Sequence, residues 1–241
     1  MAAKQKRAPR PIAPRRPIPR KGAEPAPADA IPNLIADRIR DLIARGALSP
    51  GVHLGQMQLA EQFKASRVPV REALKQLAAE GLLQHDANRG FFVAMLSSDE
   101  ARQLYRMRRL IETEILKSVE WPTKEQTLQL TEMVNELDGL LARGERAQWD
   151  ARHREFHRAI YDLSPMKVLV SEAMRLWRLT DRYRSLFATP QRAGGEKATK
   201  DERHLLRALT RCDRTALVGA FETDRARMEG MLLNLLGARG L

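Results

Sequence analysis

Residues 58–93 read QLAEQFKASRVPVREALKQLAAEGLLQHDANRGFFV, and this stretch decides the fold. Gln58 to Phe63 are mostly good helix formers and predict a short helix. Lys64-Ala65 break it, and Ser66 stands where it can cap a second helix. Val70, Leu74 and Leu77 then recur at helical spacing and mark a buried face. Arg67, Arg71 and Lys75 fall at i, i+4 and i+8, so they line a cationic stripe on another face. Pro69 lies in the first turn, where its missing N–H had no partner. After Gly81 the pattern changes. Leu82-Leu83-Gln84 and Phe91-Phe92-Val93 are short strand-like runs, joined by the turn residues Asp86-Ala87-Asn88-Arg89-Gly90. Helix, turn, cationic helix and two-stranded wing are the layout of a winged helix-turn-helix, whose second helix enters the DNA major groove. A cationic stripe alone is usually a solvated face; here the order of the elements distinguishes it.

The stretches SPGVHL (49–54), LAEQF (59–63), SRVPVREALKQLAAEGLL (66–83) and RGFFV (89–93) resemble the DNA-binding domain of GntR-family transcription regulators. The resemblance runs from about residue 34 to 94. It implies a double-stranded DNA operator as partner. On that reading Arg67 and Arg71 are expected to contact base edges, with guanine the expected partner, and Ser66 and Lys75 to hold phosphates. Pro69 belongs to the same helix start, and Arg89 with Gly90 forms the wing tip. The family sometimes carries a further arginine before the LAE segment; here that position is Met57.

The 241 residues suffice for two small domains, and 43% hydrophobic content is enough to build their cores. Half of the net charge of +12 resides in residues 1–30, where eight Lys or Arg face only Glu24 and Asp29. This Pro-, Ala- and Arg-rich stretch predicts a disordered basic tail, either dispensable or adding salt-sensitive attraction to phosphates. The single cysteine, Cys212, excludes an internal disulfide and agrees with a reducing cytosol. No apolar run reaches the roughly 18 residues that span a bilayer, and the N-terminus lacks the apolar core of a secretory signal. A cytoplasmic, nucleoid-associated protein is expected.

Residues 31–96 are therefore read as the winged helix-turn-helix domain. Its first helix starts near Ile31-Pro32, carries Leu34, Ile35, Ile39, Leu42 and Ile43 as an apolar stripe, and stops at Gly46. Residues 97–241 read as helix throughout. The predicted helices cover about 99–119, capped by Ser98, then 123–143, capped by Thr123, then 147–163, 167–187, 198–211 and 214–236. Met107 and Leu128 are placed among their core residues, and residues 189–197 form a loop. The expected fold is mainly α: the N-terminal winged helix-turn-helix with its small β-wing, then an antiparallel bundle of about six helices.

His153 and His157 lie at i, i+4 on one helix, on a stripe shared with Trp149, Phe156 and Ile160. Such an inward pair is either a set of metal ligands or a set of hydrogen-bonded core histidines. Glu202 shares a face with Leu205, Leu206 and Leu209, and Asp224 with Leu217, Phe221, Met228 and Met231. Acids on apolar stripes are costly unless paired or bound to a cation. If the last two helices turn near Asp213, the two acids sit at one height, about 16 Å from the turn. Two histidines and two carboxylates make a candidate site for Zn²⁺, Ni²⁺ or Mn²⁺. His204, amid charged neighbours, reads as outward. Arg108 and Arg109 precede Glu112 by one turn; Arg108 is the candidate for an anionic effector, the plainer alternative being a structural ion pair.

RRLIE (108–112), EFHRAI (155–160) and HLLRALTRCD (204–213) resemble the FCD domain, the helical effector-binding domain of the FadR subfamily. That resemblance implies a metal held by Asp and His of a D-x-x-x-H segment and by two later histidines, with a small organic acid completing the shell. Here His153 stands where the Asp is expected, His157 matches, and Glu202 and Asp224 fall on the two later positions. Either the ligand set is permuted, or the polar groups bind a ligand directly. The reading as a whole is a ligand-responsive regulator that binds a palindromic operator as a homodimer. The alternative is an all-helical metal-dependent enzyme with an accessory DNA-binding domain. It would need a further inward acid–base group, and none is evident.

Overall fold

The computed structural model describes residues 30–184 and 199–241. The basic tail expected at 1–30 (save Ala30) and the loop expected at 189–197 lie outside the described residues. The chain divides into two compact units. One holds the first helix as far as Leu42 and residues Ala47–Ala94; the other holds Ile43–Gly46 and Met95–Leu241.

In the first unit, helix α1 (Ala30–Ala44) is followed by strand β1 (His53–Leu54), helices α2 (Gln56–Phe63) and α3 (Arg67–Ala79), and strands β2 (Leu83–Asp86) and β3 (Gly90–Val93). Ile35, Ile39 and Leu42 of α1 are buried, as are Leu59, Phe63, Val70, Leu74 and Leu77 of the helix-turn-helix. Leu34, expected on the apolar stripe, is exposed instead. Lys64 takes a left-handed conformation (φ 51°) and its amide closes the end of α2, which sets the sharp turn into α3. Arg40 Nε donates to Glu80 Oε2 at 2.9 Å and ties α1 to the end of α3. The sheet has three strands rather than the two expected. It runs in the order β1-β3-β2, with both pairings antiparallel. A two-residue strand carries no readable alternation, so β1 had no sequence signal.

The second unit consists, among the described residues, of helices α4 (Ser98–Ser118), α5 (Lys124–Ala142), α6 (Arg146–Asp162), α7 (Lys167–Arg184), α8 (Lys200–Thr210) and α9 (Arg214–Gly237). α4 packs on α7 and α9, α5 on α6 and α8, and α8 on α9. Ser97, not Ser98, caps α4, accepting the Glu100 amide. Thr123 forms a reciprocal capping box with Gln126. Asp213 accepts the Ala216 amide at 2.8 Å and starts α9 directly after Cys212, whose φ of 52° makes the turn. Ile115, Val134, Leu137, Phe156, Ile160, Trp177, Leu209, Leu217 and Phe221 form the main core. Met107 and Leu128, expected inside, are exposed. On α4 the buried line runs instead through Leu104, Tyr105, Arg108, Glu112 and Ile115.

Candidate functional site

The polar centre of the second unit is assembled around Trp177 of α7, which is buried. His153 and His157 of α6 approach it with ring centroids at 5.8 and 5.1 Å. The guanidinium carbons of Arg108 and Arg225 stand 4.4 and 5.1 Å from its ring. Two imidazoles and two guanidiniums thus share one aromatic platform, where cations gain from the ring quadrupole.

The histidines meet Glu202 of α8. His153 Nε2 lies 2.8 Å from Glu202 Oε1 and 3.2 Å from His157 Nε2. One ligand atom from each of the three residues falls within 4.8 Å of the others. Donors about 2.0–2.1 Å from a tetrahedral ion stand roughly 3.3 Å apart, so the imidazole spacing fits such a shell. Glu202 Oε2 is buried and has no hydrogen-bond partner. Burial, then the nearby charges of Asp224 and Asp201, push the Glu202 carboxyl up to about 8. Two imidazole nitrogens and a carboxylate oxygen without a hydrogen-bond partner are a donor set that a divalent ion would complete.

Asp224 does not join the group. Its carboxylate pairs with Arg227 at 2.6 Å and lies 3.9 Å from Arg225. The reason is the phase of α9: Leu217, Phe221, Arg225, Leu232 and Leu236 point inward, and Asp224 is only half-buried beside them. His204 is exposed, as expected.

Arg108 is committed to its own helix and to α7. Its Nε and Nη2 donate to Glu112 Oε1 at 3.2 and 2.9 Å, and its Nη1 donates to Thr180 at 2.7 Å. This is the structural ion pair, not an open anion site. The residue missed by the sequence reading is Arg225. Its Nε donates to Glu112 Oε2 at 3.1 Å. Its guanidinium also faces the buried Tyr161 hydroxyl. Burial opposes the charge of Arg225, but Glu112, Tyr161 and Asp224 outweigh it and hold the guanidinium ionised. Buried Glu112 and Arg225 also correct the expectation that no further inward titratable group exists. The spacing Leu217-Phe221-Arg225 was the available signal for Arg225.

In the first unit, Ser66, Arg67, Arg71 and Lys75 are all exposed along α3, with Pro69 half-buried in its first turn. Ser66 occupies the N-cap position without a side-chain cap bond. Lys75 pairs with Glu72 at 3.1 Å. At the wing, Asp86 accepts the Asn88 and Arg89 amides at 2.9 and 3.0 Å and shapes the turn. The Arg89 guanidinium lies 5.1 Å from the Phe92 ring. Gly90 has φ +90°, and a Cβ there would come within 3.2 Å of His53 Nε2, so glycine suits the wing on both counts. His53 itself is exposed and packs on Phe92, ring centroids 5.0 Å apart.

Comparison with known proteins agrees with this geometry. Residues 33–93 match the bacterial regulatory proteins of the gntR family, and residues 103–223 match the FCD domain. The Nta operon transcriptional regulator of Aminobacter aminovorans is 33% identical over 141 residues, which are 55% of this chain and 66% of that protein. The uncharacterized HTH-type transcriptional regulator BphR of Paraburkholderia xenovorans (strain LB400) is 31% identical over 180 residues, 70% of this chain and 74% of its own length. Among solved structures, Escherichia coli McbR/YncC superposes with a TM-score of 0.77 at 23% identity, covering 85% of this chain and 98% of that one, a likeness of fold. These relatives are regulators rather than enzymes, which sets the enzyme alternative aside. No helix among the described residues is long and apolar enough to cross a membrane. With both of its units matched, the chain belongs to the gntR family of bacterial regulatory proteins and is a DNA-binding transcription regulator with a helical FCD effector-binding domain.

Proposed function

We propose that the chain acts as a homodimer on a palindromic operator and that a small organic acid, met by a divalent ion, switches its grip. The observation that carries the effector half is the convergence of His153, His157 and Glu202 within 4.8 Å. These three residues would hold Zn²⁺, Ni²⁺ or Mn²⁺ and leave a coordination position for a ligand oxygen. The ion would supply Lewis-acid affinity for a carboxylate. Arg225, its guanidinium over Trp177, is the group that would receive the rest of that anion. Arg108 and Glu112 hold Arg225 in place.

The DNA half rests on the exposed α3 stripe. Arg67 and Arg71 take base edges, Ser66 and Lys75 phosphates, Pro69 fixes the helix start, and Arg89 and Gly90 carry the wing to the adjacent groove. A two-fold dimer presents two such helices about one DNA turn apart, which is what a palindromic site requires. An effector works only through different affinities for the two arrangements of that dimer.

The test uses the full chain purified without chelators. Native mass measurement should give a dimer with one divalent ion per chain, and duplexes selected from a random pool should share an inverted repeat. A metal-free protein whose melting temperature ignores added Zn²⁺, Ni²⁺ and Mn²⁺ overturns the metal site. A monomer, or selected duplexes without symmetry, overturns the dimeric operator.

A further inference from the structure

On α3 the exposed side holds Arg67, Val68, Arg71, Glu72 and Lys75. Val68 is out of place there. It is 70% exposed, among the most exposed large hydrophobic side chains of the chain. It serves no core, since α3 buries Val70, Ala73, Leu74 and Leu77 on its other side. Valine is also a poorer helix former than alanine. An apolar, stiff side chain between Arg67 and Arg71 suits DNA, where those two arginines take base edges. The apolar feature that the major groove offers is the thymine C5-methyl.

We infer that Val68 is a specificity-determining residue that reads a thymine methyl next to the base contacted by Arg71. The inference rests on α3 entering the major groove. Val68 and Arg71 stand at i, i+3, so they project from neighbouring positions on one face. They are separated by about 4.5 Å along the axis. Successive base pairs are about 3.4 Å apart, which puts the thymine one or two pairs from the guanine. Arg71 supplies the hydrogen-bonded half of the readout and Val68 the apolar half, which separates thymine from cytosine at a position that Arg71 does not reach.

The experiment begins with duplexes selected from a random pool by the full chain, followed by replacement of each selected dT with dU. That exchange removes one methyl and leaves every hydrogen-bonding group in place. At one position per half-site, dU should weaken binding about fourfold, the worth of one buried methyl. Val68→Ala should bind the dT duplex as weakly as wild type binds the dU duplex, and should lose the dT/dU difference. At the same position 5-methyl-dC should bind wild type more tightly than dC. If Val68→Ala does not fold, the wild-type comparisons decide alone. Equal affinity for dT and dU at every selected position overturns the inference, as does a Val68→Ala chain that still discriminates them. A pool that yields no consensus overturns the groove reading of α3 and this inference with it; a consensus indifferent to methyls overturns only the latter.

Discussion

Glu112 and Arg225, 113 positions apart, join α4 to α9 through a 3.1 Å hydrogen bond in the bundle interior. The other carboxylate oxygen of Glu112 takes two bonds from Arg108. One buried negative charge therefore separates two buried positive ones, and the triad keeps a net positive charge under Trp177. Deleting the middle member removes the charge that separates the two guanidiniums and leaves Arg225 only the more distant Asp224. Glu112→Gln is expected to cost roughly 3–5 kcal/mol of unfolding free energy, measured by equilibrium urea denaturation. A loss below about 1 kcal/mol would mean that the two arginines are solvated or paired elsewhere.

Metal content separates the residues that the fold gathers from the one it leaves outside. His157→Ala and Glu202→Gln are expected to lose the bound ion, read by elemental analysis of dialysed protein. Asp224→Asn should retain it, because Asp224 is held by Arg227. In wild type, free ion at about 100 times its dissociation constant should add about 2.7 kcal/mol of stability. Loss of the ion in Asp224→Asn would restore Asp224 to the shell.

The Glu202 carboxyl, pushed up to about 8 by burial, links the stability of the metal-free chain to pH. When unfolded, this group ionises near its ordinary value of 4.5. Between those two values the folded state holds a proton that the unfolded state has released. Stability from this group therefore falls as pH rises from about 4.5 to about 8 and levels off above. The metal-free wild type should lose thermal stability across that window more steeply than Glu202→Gln. Added metal should flatten the wild-type curve, because an ion replaces the proton. Parallel curves for the two chains without metal would show that Glu202 is ionised throughout.

The DNA-binding unit was legible because local chemistry fixes it: the turn at Lys64-Ala65, Pro69 in the first turn of α3, and the Asp86–Gly90 wing are short-range signals. The helices of the second unit were legible from periodicity and caps, Thr123 above all. What failed was rotational phase. On α9, Asp224 follows Leu217 by seven residues and Arg225 follows Phe221 by four, so both positions fit an apolar stripe. The hydrophobic pattern could not choose between them, since Met228 and Met231 suit either phase. The packing chose Arg225, because Glu112 on α4 offers a partner that no local window contains. Leu128 and Met107 misled for the same reason: an apolar residue near the edge of a stripe can fall on either side. The strand at His53–Leu54 was invisible because its pairing with β3 is entirely non-local.

The last prediction separates base reading from simple charge. Arg71 and Arg89 carry the same charge and are both exposed, but one lies on the helix offered to base edges and the other at the wing tip. Arg71→Ala is expected to cost about 1–3 kcal/mol on a selected duplex and to relax sequence preference at one base pair. Arg89→Ala should weaken selected and random duplexes alike and reduce the salt dependence of binding by about one phosphate contact. Titrations of both variants on selected and scrambled duplexes at several salt concentrations give the comparison. The contrast follows from placement. A guanidinium on α3 has a fixed helical frame, so its two donors can match the O6 and N7 of one guanine. Arg89 is set by a turn and by its contact with Phe92, a placement expected to offer its charge to the backbone without defining a base. Equal losses on selected and scrambled duplexes for Arg71→Ala would reduce α3 to a phosphate anchor and move sequence reading elsewhere in the chain.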